Sequence, residues 1–374
     1  MGAEPALSVL FSRPRRVPGR GCDTRVGMTT GPPPTGFSMP PEWVRHERTW
    51  MEFPPGNTTF GSDPAGELGE YRKVWAAVTN AIARFEPVSL ICDVDDSAAA
   101  RKLVDPSVII HETLIDECWF RDSGPTFVTH PDGRFGAVLW RFNGWGQQEF
   151  CVWADEAHVG AFTATLAGAE LFRSSMVNEG GGIHVDGEGT VMITRTVQLD
   201  PYRNPDWTAD RVEAELKAFL GVEKVIWLPR GLTKDYELYG TRGHVDIVAA
   251  WVRPGLVVAH AQPDTSHPDF EVCKENLAIL RSSTDARGRQ LEVVEIEAPT
   301  ATHADGDIVD WSYINHYVCN GAVILCSFAD PRDEDAAATL SKVYPGREVV
   351  LVEARPIFEC GGGIHCITQQ QPAV

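Results

Sequence analysis

The chain has 374 residues, of which 43% are apolar and 23% charged, with 34 Gly, 11 Trp and nine Cys. That composition belongs to a folded protein with a sizeable core, and the length admits one large domain or two ordinary ones. A formal net charge of −19 argues against nucleic acid or an anionic membrane as the main partner and suits a small cationic ligand. No apolar run reaches the ~18–20 residues of a membrane span. The cysteines are irregularly spaced with no CxxC pair, which fits neither a zinc ribbon nor a disulfide framework. They are expected to be buried thiols in a reducing, cytoplasmic compartment.

Residues 1–36 hold five Arg against Glu4 and Asp23, end in the run "GPPPTG" and show no hydrophobic period. They are expected to form a disordered extension, which a start at Met28 or Met39 would remove; a transit peptide is the other reading of the Arg content. From residue 37 to residue 374 the chain repeats itself. Helical apolar spacing recurs at 66–85 (Leu68, Tyr71, Trp75, Val78, Ile82), 156–168, 208–220, 268–283 and 333–344. Thr208 is placed to cap the third helix and Gly221 to end it. A short apolar strand follows each helix: "PVSLI" (87–91), "ELFRS" (170–174), "KVIWL" (224–228), "LEVVEI" (291–296) and "EVVLVE" (348–353).

Hairpins complete the units, with turns at Asp132–Gly133, Gly187–Gly189, Pro254–Gly255 and Asn320–Gly321. The fifth hairpin is half missing, since only "ITQQQ" follows Cys366; "ERTWMEFP" (47–54) is placed to supply its partner strand. The repeat then closes into a ring with both termini in one unit. This predicts a single α/β domain of five units over residues 37–374.

The loops at one end of such a ring carry "CWFRDSGP" (118–125), "NEGGGIH" (178–184), "GTRGHVD" (240–246) and "CGGGIHC" (360–366). Singly, each has a plain explanation. Trp119 could be core, Arg121–Asp122 an ion pair, His244 a structural histidine and Cys366 one more buried thiol. Together they support two chemical readings. One is a Zn²⁺ site from His184, His244, His365 and Cys366, although the spacing matches no familiar zinc pattern. The other is a nucleophilic cysteine assisted by a histidine, with carboxylates that bind a cation. Asp246, two residues after His244, shares its face if the segment is extended.

The stretches "MPPEWVRHERTWMEFP", "WFRDSGPTFV", "FNGWG", "EGGGIHVDGEGT", "RNP", "GHVD" and "GGGIHCITQQQP" resemble agmatine deiminases, in the wider peptidylarginine-deiminase group. The likeness runs in order from about Met39 to Pro372. It implies the pentein fold, a five-bladed α/β propeller of ββαβ units with pseudo-fivefold symmetry. It implies Cys366 as nucleophile, His244 as general acid/base, Asp122 and Asp246 as guanidinium ligands, Trp119 packed on the substrate and Glu179 in a supporting role. The implied reaction converts agmatine and water to N-carbamoylputrescine and ammonia, on the way to putrescine. No metal or organic cofactor is implied, and a homo-oligomer is. An amidinotransferase of the same fold and a silent guanidine-binding protein are the alternatives.

Three positions depart from the family pattern: Gly363 and Ile247 stand where Asn is usual, and "YGTRGHVD" places Gly240 and Arg242 where acidic and Asn residues are common. A cationic Arg242 would repel an ammonium tail. It suggests instead a carboxylate-bearing guanidine such as arginine, peptidyl-arginine or a guanidino acid. The other reading has Arg242 pointing outward, paired with Asp235 or Glu237. Two carboxylates beside Cys366 are expected to raise its pKa.

Overall fold

The structure, a computed structural model, describes residues 28–57, 59–301 and 307–374. Its organising unit is a hairpin followed by a helix and a third strand that lies parallel to the second. Thr126–Thr129 and Phe135–Arg141 pair antiparallel, helix Glu156–Ala167 crosses over, and Glu170–Val177 returns parallel to Phe135–Arg141. The same order recurs through His184–Val185, Thr190–Thr194, helix Ala209–Leu220 and Lys224–Leu228. It recurs again through Ala249–Arg253, Leu256–Ala261, helix Asp269–Ser282 and Glu292–Glu297. A fourth unit uses Tyr317–Cys319, Ala322–Ser327, helix Asp333–Val343 and Glu348–Glu353. In the fifth, the C-terminal strand Thr368–Pro372 pairs antiparallel with His46–Glu52, and helix Glu67–Ala83 leads to Val88–Cys92.

Local chemistry explains these elements. Helix Ala209–Leu220 starts where the Thr208 side chain accepts a hydrogen bond from the Arg211 N–H, and it stops at Gly221, whose φ of 66° is left-handed. Between them Val212, Leu216, Phe219 and Leu220 bury one face against their sheet. At the Asn320–Gly321 turn, Gly321 alone takes a positive φ, 79°, a left-handed backbone that glycine adopts without steric cost. Strand Val88–Cys92 is buried at every residue, as expected where helices cover one face and neighbouring strands the other.

Two sheets are wider than the periodicity predicts. Helix Ser97–Leu103 and strand Ile109–Glu112 add a fourth strand beside Val88–Cys92. Nearer the N-terminus, Met28–Thr30 pairs in parallel with Leu171–Arg173. The expected disorder of residues 1–36 therefore needs correction in its last part, since backbone pairing on a sheet edge demands no apolar pattern. Residues 1–27 lie outside the described residues. Among the described residues, no helix is long and apolar enough to cross a membrane.

Candidate active site

The loops that enter the first strands meet at one place. The single turn Phe120–Ser123 packs against the glycine turn Gly180–Gly182 and strand Thr368–Pro372, and Gly180–Gly182 packs in turn against Val245–Ile247. Arg121 fastens the first turn to the chain end: its N–H donates to the Cys366 carbonyl (3.0 Å), its Nε to the His365 carbonyl (3.2 Å) and its Nη1 to Gln370 Oε1 (2.9 Å). That leaves Asp122 facing inward, where Oδ1 accepts from the Gly181 N–H and Oδ2 from Trp145 Nε1, both at 2.9 Å.

Asp235 shapes the approach to His244. Its buried carboxylate accepts from the Thr241 and Gly243 N–H groups, each at 2.6 Å. His244 then lies with Nε2 3.3 Å from Glu179 Oε2 and Nδ1 3.9 Å from Asp122 Oδ2. Glu179 receives the Arg203 Nε on both oxygens at 3.0 Å. Asp246 Oδ2 lies 2.8 Å from His365 Nδ1 and 3.5 Å from Cys366 Sγ, and Asn315 Nδ2 donates to the same sulfur at 3.2 Å.

Two glycines let the backbone lie close against these groups. A Cβ added to Gly181 would stand 2.5 Å from His244 Nδ1 and 3.0 Å from both Asp122 Oδ1 and Asp246 Oδ2. A Cβ on Gly362 would meet Trp119 at 2.7 Å and Cys366 Sγ at 2.9 Å. The absence of two side chains thus lets these backbones approach the carboxylates and the thiol closely. His244 Nδ1 and Asp246 Oδ1 are buried here without a hydrogen-bond partner. Such atoms are costly to leave unpaired and fit a polar ligand.

Charge is unevenly held. Burial raises the Cys366 thiol well above its usual range, and Asp246 and then Asp122 add to that. The two carboxylates act as expected, but desolvation is the larger cause. Burial also raises Asp122, with Asp246 and Glu179 adding to it against the pull of His244. Asp246 is lowered despite its burial, chiefly by His365. Burial would push His244 down, but Asp122 and Glu179 outweigh it and raise its pKa to about 9.

The structure brings Cys366, His244, Asp122, Asp246 and Glu179 together. Trp119 is buried in the core, its ring lies against Phe60, Trp75 and Trp145, and its edge approaches Gly362, as the Cys366 sulfur does. Arg242 follows neither expected arrangement in full. Its Nη1 donates to the Gly146 carbonyl (3.1 Å) and Asp200 Oδ2 (3.3 Å), and its guanidinium stacks on Tyr202. Asp235 touches Arg242 only through the backbone, accepting its N–H on the carbonyl. Arg121 pairs with Glu42 (3.4 Å), not with its neighbour Asp122.

The four residues of the zinc reading are divided. His184 and His365 face Glu42, and these three offer ligand atoms within 4.8 Å of one another. His244 faces Glu179 and Asp122 instead. The Arg121 cation beside Glu42 and the hydrogen bonds on both ring nitrogens of His365 already occupy that cluster. Sequence reasoning missed Asn315, Trp145, Arg203 and Glu42. Three of these lie in "FNGWG", "RNP" and "MPPEWVRHERTW", where the resemblance pointed without assigning them a task.

Five ββαβ units with a buried cysteine, a histidine and two carboxylates at one end place the chain in a known class. It belongs to the Porphyromonas-type peptidyl-arginine deiminase family, whose model matches residues 38–372. Within that family it is similar to the agmatine deiminase of Pseudomonas aeruginosa, at 40% identity over 92% of this chain and 98% of the relative. A Streptomyces avermitilis protein that bears the agmatine deiminase name provisionally is 56% identical over 91% of this chain and 99% of its own length. The solved agmatine deiminase of Enterococcus faecalis superposes with a TM-score of 0.86 at 29% identity, over 92% of this chain and 98% of that one.

Proposed function

We propose that this chain is a guanidine deiminase that converts agmatine and water to N-carbamoylputrescine and ammonia through a covalent cysteine intermediate. The observation that carries the proposal is the convergence of Asp122, Asp246 and His244 about Gly181, where an added Cβ would fall within 3.0 Å of all three, with Cys366 Sγ 3.5 Å from Asp246. A guanidinium is planar, cationic and rich in N–H donors, which paired carboxylates accept. The named relatives add agmatine as the substrate. We read the five units as a pentein propeller closed about a pseudo-fivefold axis, supported by the pairing of Thr368–Pro372 with His46–Glu52.

In this reading Asp122 and Asp246 hold the guanidinium with its carbon over the Cys366 sulfur. The thiolate attacks that carbon, forming a C–S bond and a tetrahedral adduct. Protonated His244 gives a proton to the departing nitrogen, which leaves as ammonia, and the neutral imidazole then takes a proton from water. The hydroxide adds to the thiouronium carbon, and cleavage of the C–S bond releases the ureido product and the thiolate. Arrival of a cation also offsets the carboxylates that oppose thiolate formation. The apparent pKa of Cys366 alkylation is therefore expected to fall when an unreactive cationic guanidine is bound.

The test is ammonia and ureido-product release from agmatine, arginine, peptidyl-arginine and guanidino acids, without added amine. Agmatine is expected to be the best substrate. A requirement for an amine acceptor would instead point to an amidinotransferase. Because His244 must be protonated to act as the acid, kcat/KM should decline as pH rises through about 9. It should also decline in acid as Asp122, held above the ordinary carboxylate range by burial, takes up a proton.

A further inference from the structure

Glu42 and His365 lie outside the chemistry just described, yet they end in it. His365 Nε2 is 2.6 Å from Glu42 Oε1 and Nδ1 is 2.8 Å from Asp246 Oδ2, all three side chains being buried. Ionised carboxylates only accept hydrogen bonds, and a neutral imidazole carries a single N–H. It could satisfy one of these contacts and would set a lone pair against the other. An imidazolium satisfies both.

We propose that Glu42 and His365 are positioning residues of the deiminase site: Glu42 holds His365 as an imidazolium, and that cation fixes Asp246 as an oriented carboxylate. The inference rests on the deiminase reading for its kinetic consequences, while the protonation state of His365 stands on geometry alone. With Oδ2 taken by His365, Oδ1 of Asp246 is left buried and unpartnered, and it is the oxygen free for a substrate N–H. The imidazolium also balances a negative charge 3.5 Å from the Cys366 sulfur, so the thiolate forms against a smaller opposing field.

The surroundings agree. Besides the two carboxylates, the groups that face His365 are Arg121, whose Nη1 is 3.4 Å from Glu42, and His184, whose ring stacks at 6.0 Å. His316, buried nearby, also feels its charge. Burial and then Arg121 press His365 toward the neutral form, but Glu42 and Asp246 prevail and raise it above its usual value. Glu42 is lowered in spite of burial, first by His365, then by His184 and Arg121. His184 is pushed down to about 4, first by burial and then by the charge on His365, so one imidazolium occupies the cluster and not two.

Two measurements on the full chain decide the matter. In protein carrying ¹⁵N-labelled histidine, both ring nitrogens of His365, assigned by their loss in His365→Gln, should show N–H shifts at pH 8. A neutral tautomer there would overturn the proposal whether or not the protein deiminates anything. In steady-state assays, Glu42→Gln should let His365 deprotonate ahead of His244, so the alkaline limb of kcat/KM should move from about 9 to lower pH by about one unit or more, lowering kcat/KM about threefold or more at pH 8.5. The loss should appear in kcat more than in KM, and Glu42→Asp should restore the limb. A folded Glu42→Gln with an unmoved limb would refute the role of Glu42. A loss of equal size at every pH would do the same, by making it structural only. If no guanidine is turned over even by the unaltered protein, the deiminase reading fails and the NMR result still stands or falls by itself.

Discussion

Residues 179–185 and 360–366 carry nearly the same sequence, and their histidines meet one carboxylate in different surroundings. In each, three glycines and an isoleucine lead to a histidine, and the two rings, His184 and His365, stack 6.0 Å apart beside Glu42. His184 has the Trp251 N–H directed at Nδ1 (3.4 Å) and Glu42 3.7 Å from Nε2, a setting that asks for a lone pair on one side. His365 has a carboxylate on each nitrogen. The next residue differs likewise: Val185 packs among Ile183, Val191 and Met176 in a core cluster, whereas Cys366 borders Asp246 and Asn315. A repeated motif therefore does not fix one backbone, since Gly180–Gly182 makes a 3-10 turn whereas Gly361 takes φ 113°, and the partners brought by other loops decide which copy becomes chemical.

The largest effect should come from exchanging the two last residues. Cys366→Ala is expected to lower kcat by about 10⁴-fold or more, as loss of a covalent nucleophile does. Adding Val185→Cys to that variant should recover nothing, because its thiol would lie in the apolar cluster. Product release by the double variant above the level of Cys366→Ala would break the comparison.

A smaller loss should follow from adding a side chain where the first loop lies against the reacting groups. Gly181→Ala would place a methyl within 2.5 Å of His244 Nδ1 and 3.0 Å of both carboxylates, so kcat/KM should fall by about 100-fold, the cost of displacing a reacting group by about an ångström. Backbone strain is not the cause, since Gly181 is absent from the positive-φ residues. Thermal unfolding within a few degrees of the unaltered protein, combined with full activity, would show that catalysis does not depend on this close approach.

The same contrast explains what the sequence could reveal. The helices and strands of the five units stand where the sequence pattern predicted them, because each is a short apolar or amphipathic segment bounded by polar and turn residues, some with their own turn or cap, as at Thr208, Gly221 and Gly321. Cys366, His244, Asp122 and Asp246 were legible through motifs whose residues are neighbours in the chain. Relations spanning the chain were not. Glu42 meets His365 across 323 residues, and nothing local in "PPEWV" marks the glutamate for that contact. Ser97–Leu103 offers only one buried residue, so it left no readable apolar face. The strand Met28–Thr30 is held by its pairing with Leu171–Arg173, which composition does not foresee.

Arg242 was misplaced for a related reason, and it carries the smallest effect. Its direction depends on Asp200, 42 residues earlier, and on a left-handed backbone of φ 67° that turns the side chain toward Gly146 and Tyr202. Trp145, Gln147 and Tyr239 are also left-handed, so four such residues cluster on the two loops beside the site, which Gln148 joins by donating to the Gly240 carbonyl. Strain gathered this way is common around functional sites. An arginine already paired with Asp200 and about a quarter exposed has little reason to wait for a substrate carboxylate. Arg242→Asn keeps a residue tolerant of positive φ while removing the charge. It should change kcat/KM for agmatine by less than about fivefold, the scale of a partly exposed ion pair. It should also leave the ranking of agmatine over arginine as it was. A selective collapse of activity on arginine or a guanidino acid, with agmatine untouched, would return Arg242 to the substrate and overturn its assignment to the loop.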